Sequence, residues 1–479
     1  MPNFGSVSFG FDDTTWVAVG ATQIDYFITT SGDPGFGRAL SSPTADIMHS
    51  YVDAVGHSPL LPEYAAGYWH SKNRYASQAE LLAAAEGFHN RSIPVSIIVI
   101  DYHHWVHMGD YSFDPSAWPD VPAMMAQLES YGMRVMVSVW PFVANPSNTW
   151  ANFTSNDLVV NSGNSSSPAL WDDSVCDAQC VLYDPTKEAA REQLWSGVAT
   201  GYYKYGIKVF WLDAAEPEIN TAAATNSANN GSWSLGPLQN SLMMFPYWHT
   251  RSIHDGLVSE GEDEVVMLTR SAWAGMQRWG AALWSGDTRS TFASLKVSIQ
   301  AGLATQLSGI AWWTTDIGGY SGGVDTDPTF RELIVRWFQF GVTCPLFRQH
   351  GKRDTEIWLY GNTSYAAIVK VMDLRASLHS YIMAAMGAVA DTGLPVNRPL
   401  WWDFPEDATA WTIDDQYMFG PTYLVAPVTD MGARSRTLYL PGNASVVWTH
   451  HFTGTAYKGG QHVTVDAPLD EFPLFAVSV

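Results

Sequence analysis

Three carboxylates, Asp213, Glu216 and Glu218, follow directly on the apolar run Ile207 to Leu212. Such a run reads as a short strand buried on both faces of a parallel sheet. Burying an acid is costly unless it is paired or used. A buried strand that delivers a carboxylate at its C-terminal end therefore marks a candidate active site in a barrel or doubly wound fold. Taken alone, Asp213 reads equally well as a helix N-cap. Asp101, Arg270, Asp287, Asp316 and His350 end or follow similar apolar runs. Two carboxyls flanking a glycosidic bond can hydrolyse it, one ionised at the anomeric carbon and one protonated at the leaving oxygen. Asp213 and Asp287 come from different runs and would face one cavity from different sides. Trp284 and the turn at Gly286 would desolvate Asp287, and a charged Asp213 would raise it further, so both effects favour a neutral acid there. Arg270 would hold Asp213 ionised or bind a hydroxyl. Each of these residues, considered singly, reads as readily as an ion pair or loop cap, and spacing does not say which carboxylate does what.

The elements that must position these groups follow a rhythm. Apolar runs at Ala66–His70, Val95–Asp101, Arg134–Pro141, Ile207–Asp213, Val265–Arg270, Gly280–Asp287, Gly309–Asp316 and Cys344–His350 close on polar residues, Arg134–Pro141 on Trp140-Pro141 excepted. Helical periodicity fills several gaps, as at Gln78–Phe88 and Ala123–Tyr131, and after Asp184-Pro185, read as an N-cap with proline at N1. Eight strands alternating with helices predict a (β/α)₈ TIM barrel over residues 63–392, with every polar terminus on one rim. The Asn/Ser/Asp-rich stretch 145–183 is too long for a simple connection and reads as an inserted lid; 220–237 is a second such loop. Past about residue 390 the helices stop. Runs at Tyr417–Val428, Ser435–Tyr439, Ala444–Trp448 and His462–Val465 predict a C-terminal antiparallel β-sandwich over 393–479. Residues 1–62 read as short β segments (Thr15–Val19, Ile24–Thr29), a turn at 31–35, and a helix from Pro43 to a stop at Gly56.

Composition narrows the partners. The 479 residues carry a formal net charge of -22, which argues against nucleic acid or an anionic membrane. Aromatic residues make up 13%, with 22 Trp, and such rings stack on sugar faces. Cys176 and Cys180 lie in a polar loop where a small disulfide is plausible, and Cys344 reads as a buried free thiol. No histidine pair stands at ligand spacing beside the cysteines, so zinc is not expected. No apolar segment is long enough to span a bilayer. Met1 to Phe11 lacks the features of a signal peptide, whereas Asn90, Asn152, Asn164, Asn230, Asn362 and Asn443 all begin N-x-Ser/Thr sequons. The sequons tilt towards secretion and leave the compartment open.

The segment Trp211-Leu212-Asp213-Ala214-Ala215-Glu216-Pro217-Glu218 resembles the nucleophile signature of glycoside hydrolase family 31, in its α-xylosidase-like branch. Thr269 to Gly275, followed by Trp284-Ser285-Gly286-Asp287, resembles that family's acid/base region. Trp69 to Tyr75, Trp312 to Gly319, Phe347 to Gly351, Arg398-Pro399-Leu400 and Phe419-Gly420-Pro421 fit it as well, so the resemblance covers nearly the whole chain. It implies a retaining, exo-acting α-glycosidase without cofactor, acting on an oligosaccharide or other α-glycoside. Asp213 would be the nucleophile and Asp287 the acid and then base. Asp101, Arg270, Asp316 and His350 would bind sugar hydroxyls, with Trp140, Trp211, Trp284, Trp313 and Phe347 walling the site. The family usually carries a β-sandwich before the barrel and often a further distal β domain. Residues 1–62 are therefore expected to be the remnant of a truncated N-terminal sandwich, which would leave the pocket more open. The alternatives are a glucosidase or transglucosylase with glucose in the first subsite, or an impaired sugar-binding fragment; both carboxylates being intact weighs against the latter.

Overall fold

The eight apolar runs form eight parallel strands. In the computed structural model, which describes residues 6–9, 14–17, 43–163, 165–171, 176, 178–218 and 222–478, these are β1 (Tyr68–His70), β2 (Ile97–Ile100), β3 (Arg134–Val139), β4 (Val209–Leu212), β5 (Val266–Thr269), β6 (Ala281–Trp284), β7 (Trp313–Thr314) and β8 (Phe347–Gln349). They pair in the order β7-β6-β5-β4-β3-β2-β1-β8. The ring closes where Leu346 N–H donates to the Trp313 carbonyl at 3.1 Å and Ile317 N–H to the Arg348 carbonyl at 3.3 Å. Each strand is shorter than its apolar run, so the polar residues that end the runs, His70 of β1 apart, lie in loops at the C-terminal rim, where barrels carry their chemistry.

Helices alternate with the strands: α1 (Pro43–Val55) precedes β1, and α2 (Gln78–Asn90), α3 (Val121–Ser130), α4 (Glu188–Gly201), α5 (Phe245–Ser259), α6 (Phe292–Leu307), α7 (Pro328–Gly341), α8 (Asn362–Ser377) and α9 (His379–Thr392) follow in order. Between β5 and β6 there is only the short 3-10 turn Met276–Trp279. Sequence chemistry explains several starts: Ser77, Asp120 and Asp327 each accept a backbone N–H from the first turn of the helix they precede. The α4 start differs from expectation. Its first residue is Glu188, because Asp184 turns its carboxylate to Thr186 and to the N–H of Ser234 in the second loop, at 3.0 Å.

Both long polar stretches are built into the same small subdomain. Phe142–Ala144, Cys180–Leu182 and Leu170–Trp171 form one antiparallel sheet. Asn161–Ser162 pairs with Gly231–Trp233 of the second loop. Cys176 and Cys180 are disulfide-bonded, and Cys344 is a buried free thiol.

The C-terminal domain is antiparallel. Strands β9 (Asn397–Pro399), β10 (Tyr417–Phe419), β11 (Tyr423–Val425), β12 (Ser435–Leu440), β13 (Val447–His450), β14 (Ala456–Lys458), β15 (Gln461–Asp466) and β16 (Leu474–Ser478) form a six-stranded sheet in the order β9-β10-β11-β16-β13-β14 and a β12-β15 pair. The run at 417–428 is two strands, because Gly420 (φ 57) and Pro421 turn the chain into a hairpin. Helix does not stop altogether at 390: α9 ends at Thr392 and a single turn, Leu400–Asp403, lies within the domain. Arg336 on α7 is buried at the joint between the domains, donating to the carbonyls of Ala433, Ala467, Pro468 and Glu471. Near the N-terminus, Ser6–Phe9 pairs with Thr14–Val17; the expected strand at Ile24–Thr29 and the turn at 31–35 lie outside the described residues. Among the described residues no helix is long and apolar enough to cross a membrane. Sequon residues Asn90, Asn152, Asn230, Asn362 and Asn443 are exposed, and Asn164 lies outside the described residues.

Candidate active site

Asp213 leaves the end of β4 fully inside the barrel mouth, 8% exposed. The next residue, Ala214, is buried with φ 53, a left-handed conformation that an alanine adopts at a cost and that turns the chain sharply away. Burial pushes the Asp213 carboxyl up to about 6, against the pull of the Arg270 guanidinium, whose Nη1 is 3.4 Å from Oδ1. Arg270, at the end of β5, spends its other donors on carboxylates. It meets Glu216 in a fork at 2.6 and 2.9 Å and also bonds Glu218. The three acids that cluster after β4 in the sequence thus surround one cation brought by the neighbouring strand.

Asp287 follows β6 and is exposed at the pocket mouth. Its carboxyl is raised, first by the atoms that strip solvent from it and then by Glu218 and Glu216, while Arg270 and Arg348 act in the opposite sense. It is near enough to Asp213 for its charge to raise that carboxyl too. The two acids therefore occupy unequal settings, one enclosed beside a cation and one at the mouth.

Deeper in, Asp316 and Arg348 are both fully buried and form an ion pair. Burial lifts Asp316 to about 7, with Arg348 opposing it. The Arg348 guanidinium lies 4.6 Å from the Trp211 ring centroid and 5.6 Å from that of Trp284, and those indoles meet edge to face at 5.3 Å. His350 stands 5.1 Å from Trp211. Its Nδ1 is 2.7 Å from the Ser71 hydroxyl, and its Nε2 is 3.8 Å from Asp101. Burial holds His350 well below its ordinary range, so the ring is neutral, and burial followed by the charge of Asp213 lifts Asp101 well above its own. At the rim, Trp140 stacks on Tyr102 at 5.6 Å, and Tyr320 stacks on His350 at 5.6 Å.

The polar atoms left over are informative. Asp213 Oδ1, Asp316 Oδ2, Arg348 Nε and Nη2, and the indole N–H groups of Trp140, Trp211 and Trp284 are buried without a hydrogen-bond partner in the protein. Buried polar groups are ordinarily satisfied, so a set of both donors and acceptors left open marks a surface for a ligand rich in hydroxyls. Among the described residues the rim brings no three metal-ligating atoms together.

Two expected wall residues face the other way. Trp313 packs outward between α6 and α7: a Cβ at Gly302 would sit 2.8 Å from its ring, and Phe340 lies 6.1 Å away. Phe347 also points outward, 5.7 Å from Phe338 of α7 and beneath the Arg375 guanidinium of α8. The cause is strand parity, since neighbouring residues alternate faces. It follows that Arg348, between outward-facing Phe347 and Gln349, is the β8 side chain aimed into the site. Sequence reasoning missed it, along with Tyr102 and Tyr320. The available signal was a lone arginine inside an otherwise buried strand.

Carboxylates of unequal environment, offered from separate strand ends among indoles and unpaired donors, are what assisted cleavage of a glycosidic bond requires. Fold and site together define a (β/α)₈ glycoside hydrolase. The profile of the glycosyl hydrolases family 31 TIM-barrel domain matches residues 58–385, and that of the family 31 C-terminal domain matches residues 393–478. The chain belongs to glycosyl hydrolase family 31. It is 34% identical to alpha-xylosidase A of Aspergillus niger, across 99% of this chain and 70% of that one. To the alpha-xylosidase of Saccharolobus solfataricus it is 32% identical, across 97% of this chain and 60% of that one. Among solved structures, a soil-metagenome GH31 alpha-xylosidase complexed with xylose superposes with a TM-score of 0.86 at 40% identity, over 91% of this chain and 66% of that one.

Proposed function

We propose that the chain is a retaining α-xylosidase that removes α-linked xylose from the non-reducing ends of oligosaccharides. In this reading the Asp213 carboxylate attacks the anomeric carbon while protonated Asp287 gives its proton to the departing glycosidic oxygen. Asp287, now ionised, then takes a proton from a water that attacks the glycosyl ester, releasing Asp213 and sugar of unchanged anomeric configuration. The observation that carries the assignment is the placement of the acids. Asp213 is enclosed at the end of β4 with the Arg270 guanidinium 3.4 Å from Oδ1, whereas Asp287 stands exposed at the mouth, where a leaving group departs. Arg270 acts by charge rather than by binding sugar, because Glu216 and Glu218 occupy its fork. Asp101, Asp316, Arg348 and His350, with the indoles of Trp140, Trp211 and Trp284, receive the sugar.

The xylose assignment is supported by the Trp211 to Glu218 signature and by the names of the relatives above. It is tested by turnover of paired aryl α-xyloside and aryl α-glucoside by the purified chain. Preference for the xyloside is expected; preference for the glucoside would replace xylose by glucose in the first subsite, and inertness of the folded chain towards both would overturn the assignment. Asp287→Ala separates the two acid roles. It is expected to leave the glycosylation step of a substrate with a good leaving group nearly intact and to slow a poor one sharply. Equal losses on both would remove Asp287 from the acid role.

A further inference from the structure

The barrel's opposite end carries a second cluster of chemically capable side chains. His49 and Asp53 lie one turn apart on α1 and share a face. Gly56, at φ 109, then reverses the chain and returns His57 to the same face; Gly56 N–H closes the helix on the Val52 carbonyl at 2.6 Å. The His49 and His57 rings meet edge to face at 5.9 Å, and both Nε2 atoms point to one carboxylate: His57 Nε2 is 2.7 Å from Asp53 Oδ1 and His49 Nε2 is 3.7 Å from Oδ2.

The other nitrogen of each ring fixes the tautomer. His49 Nδ1 lies 3.3 Å from the Thr392 carbonyl and His57 Nδ1 lies 3.0 Å from the Ala390 carbonyl, both in the last turn of α9. A carbonyl only accepts, so each Nδ1 carries a hydrogen, and each Nε2 is left facing the carboxylate, where a proton or a metal ion can lie between them. One nitrogen of each ring and one carboxylate oxygen all lie within 4.8 Å of one another, a spacing that a single metal ion can span. Carbonyls that orient a histidine through its other nitrogen are the usual outer partners of metal-ligating imidazoles. The carbonyl-rich end of α9 also favours a cation. Arg278, which donates to the Val55 carbonyl beside Gly56, is the positive group that flanks the cluster.

We propose that His49, Asp53 and His57 form a divalent transition-metal site, with zinc its natural occupant. Two imidazole nitrogens and one carboxylate oxygen suit zinc, with water completing the coordination. Half-exposed ligands leave an entry path. Bound there, the ion clasps α1 to α9. Tyr51 and Val52 of the same helix already pack on Gly309 and Gly393, and Gly309 leads into β7 from the end opposite the rim. The site is therefore a structural clip, separate from the chemistry.

Zinc titration of the chelator-treated chain tests this by calorimetry, with cobalt(II) absorption as a second readout. One ion per chain is expected, with visible cobalt d–d bands and a Tm that rises with zinc. The His49→Gln/His57→Gln double variant is expected to lose all three responses while retaining aryl glycoside turnover. Should that variant fail to fold, Asp53→Asn, which conserves size, is expected to weaken zinc binding about tenfold or more with an unchanged circular dichroism spectrum. A folded native chain that takes up no zinc or cobalt overturns the proposal. So does undiminished binding by the variants, or an α1 clasp that tightens only on acidification, which would make protons the positive centre.

Discussion

Two fully buried arginines in the same barrel do opposite things with their donors. Arg375, on α8, lies at the floor and gives all five N–H groups to main-chain carbonyls: Ala66 twice, Val342, Cys344 and Pro345, at 2.6 to 3.2 Å. These carbonyls belong to the approaches to β1 and β8, so one guanidinium staples the seam where first and last strands meet. Arg348, on β8 itself, has the single partner Asp316 and holds Nε and Nη2 unpaired against two indoles. A buried cation with its donors spent is architecture, whereas one with donors in reserve is a binding group. That contrast separates the stable end of a barrel from its working end.

The comparison yields ordered expectations. The largest effect belongs to Asp213→Ala, which removes the nucleophile and is expected to lower kcat by about 10⁴-fold or more, read with an aryl α-xyloside. Arg348→Met is next. Losing charged hydrogen bonds to the sugar lowers kcat/KM by about 10²–10³-fold; Tm falls less than for the floor arginine, because burial already lifts the stranded Asp316 towards its neutral form. Arg375→Met should invert the pattern. Stranding five buried bonds at the floor costs about 3–5 kcal/mol of stability, seen as a lowered Tm, while kcat/KM of the folded fraction is conserved. If Arg375→Met instead impaired the chemistry and Arg348→Met the stability, floor and rim would have been misassigned.

A smaller effect concerns pH. The nucleophile must be ionised, so kcat/KM falls as pH drops through the Asp213 value of about 6. Arg270 lowers the Asp213 carboxyl, so Arg270→Gln raises it and moves the acidic limb to higher pH. An unmoved limb would remove Arg270 from that role. The smallest expectation is Phe347→Leu: an outward-facing side chain loses some packing, about 1–3 kcal/mol, and kcat/KM stays as it was.

The barrel was legible because each strand lies in an apolar run, all but one of them ending in a polar residue, and the run survives one-dimensional reading. The direction in which each side chain points was not. A strand buried on both faces shows no alternation of polar and apolar residues, so Phe347 and Trp313 looked as suitable for the pocket as Trp211 and Trp284. Only pairing with neighbouring strands fixes the parity that sends Arg348 inward. Long-range pairing likewise hid the union of the two polar loops, since nothing local tells Asn161 that it will meet Ser232. Asp184 was misread for the same reason. It has the sequence of an N-cap and divides its carboxylate between Thr186 and Ser234.

The central claim is that Asp213 attacks from within the barrel while Asp287 assists from the mouth. The anomeric form of the first sugar released from an aryl α-xyloside, followed by proton NMR before mutarotation, tests it most directly. Double displacement predicts α-xylose as the initial product. Initial β-xylose would mean that water, not Asp213, reaches the anomeric carbon, and would contradict the account.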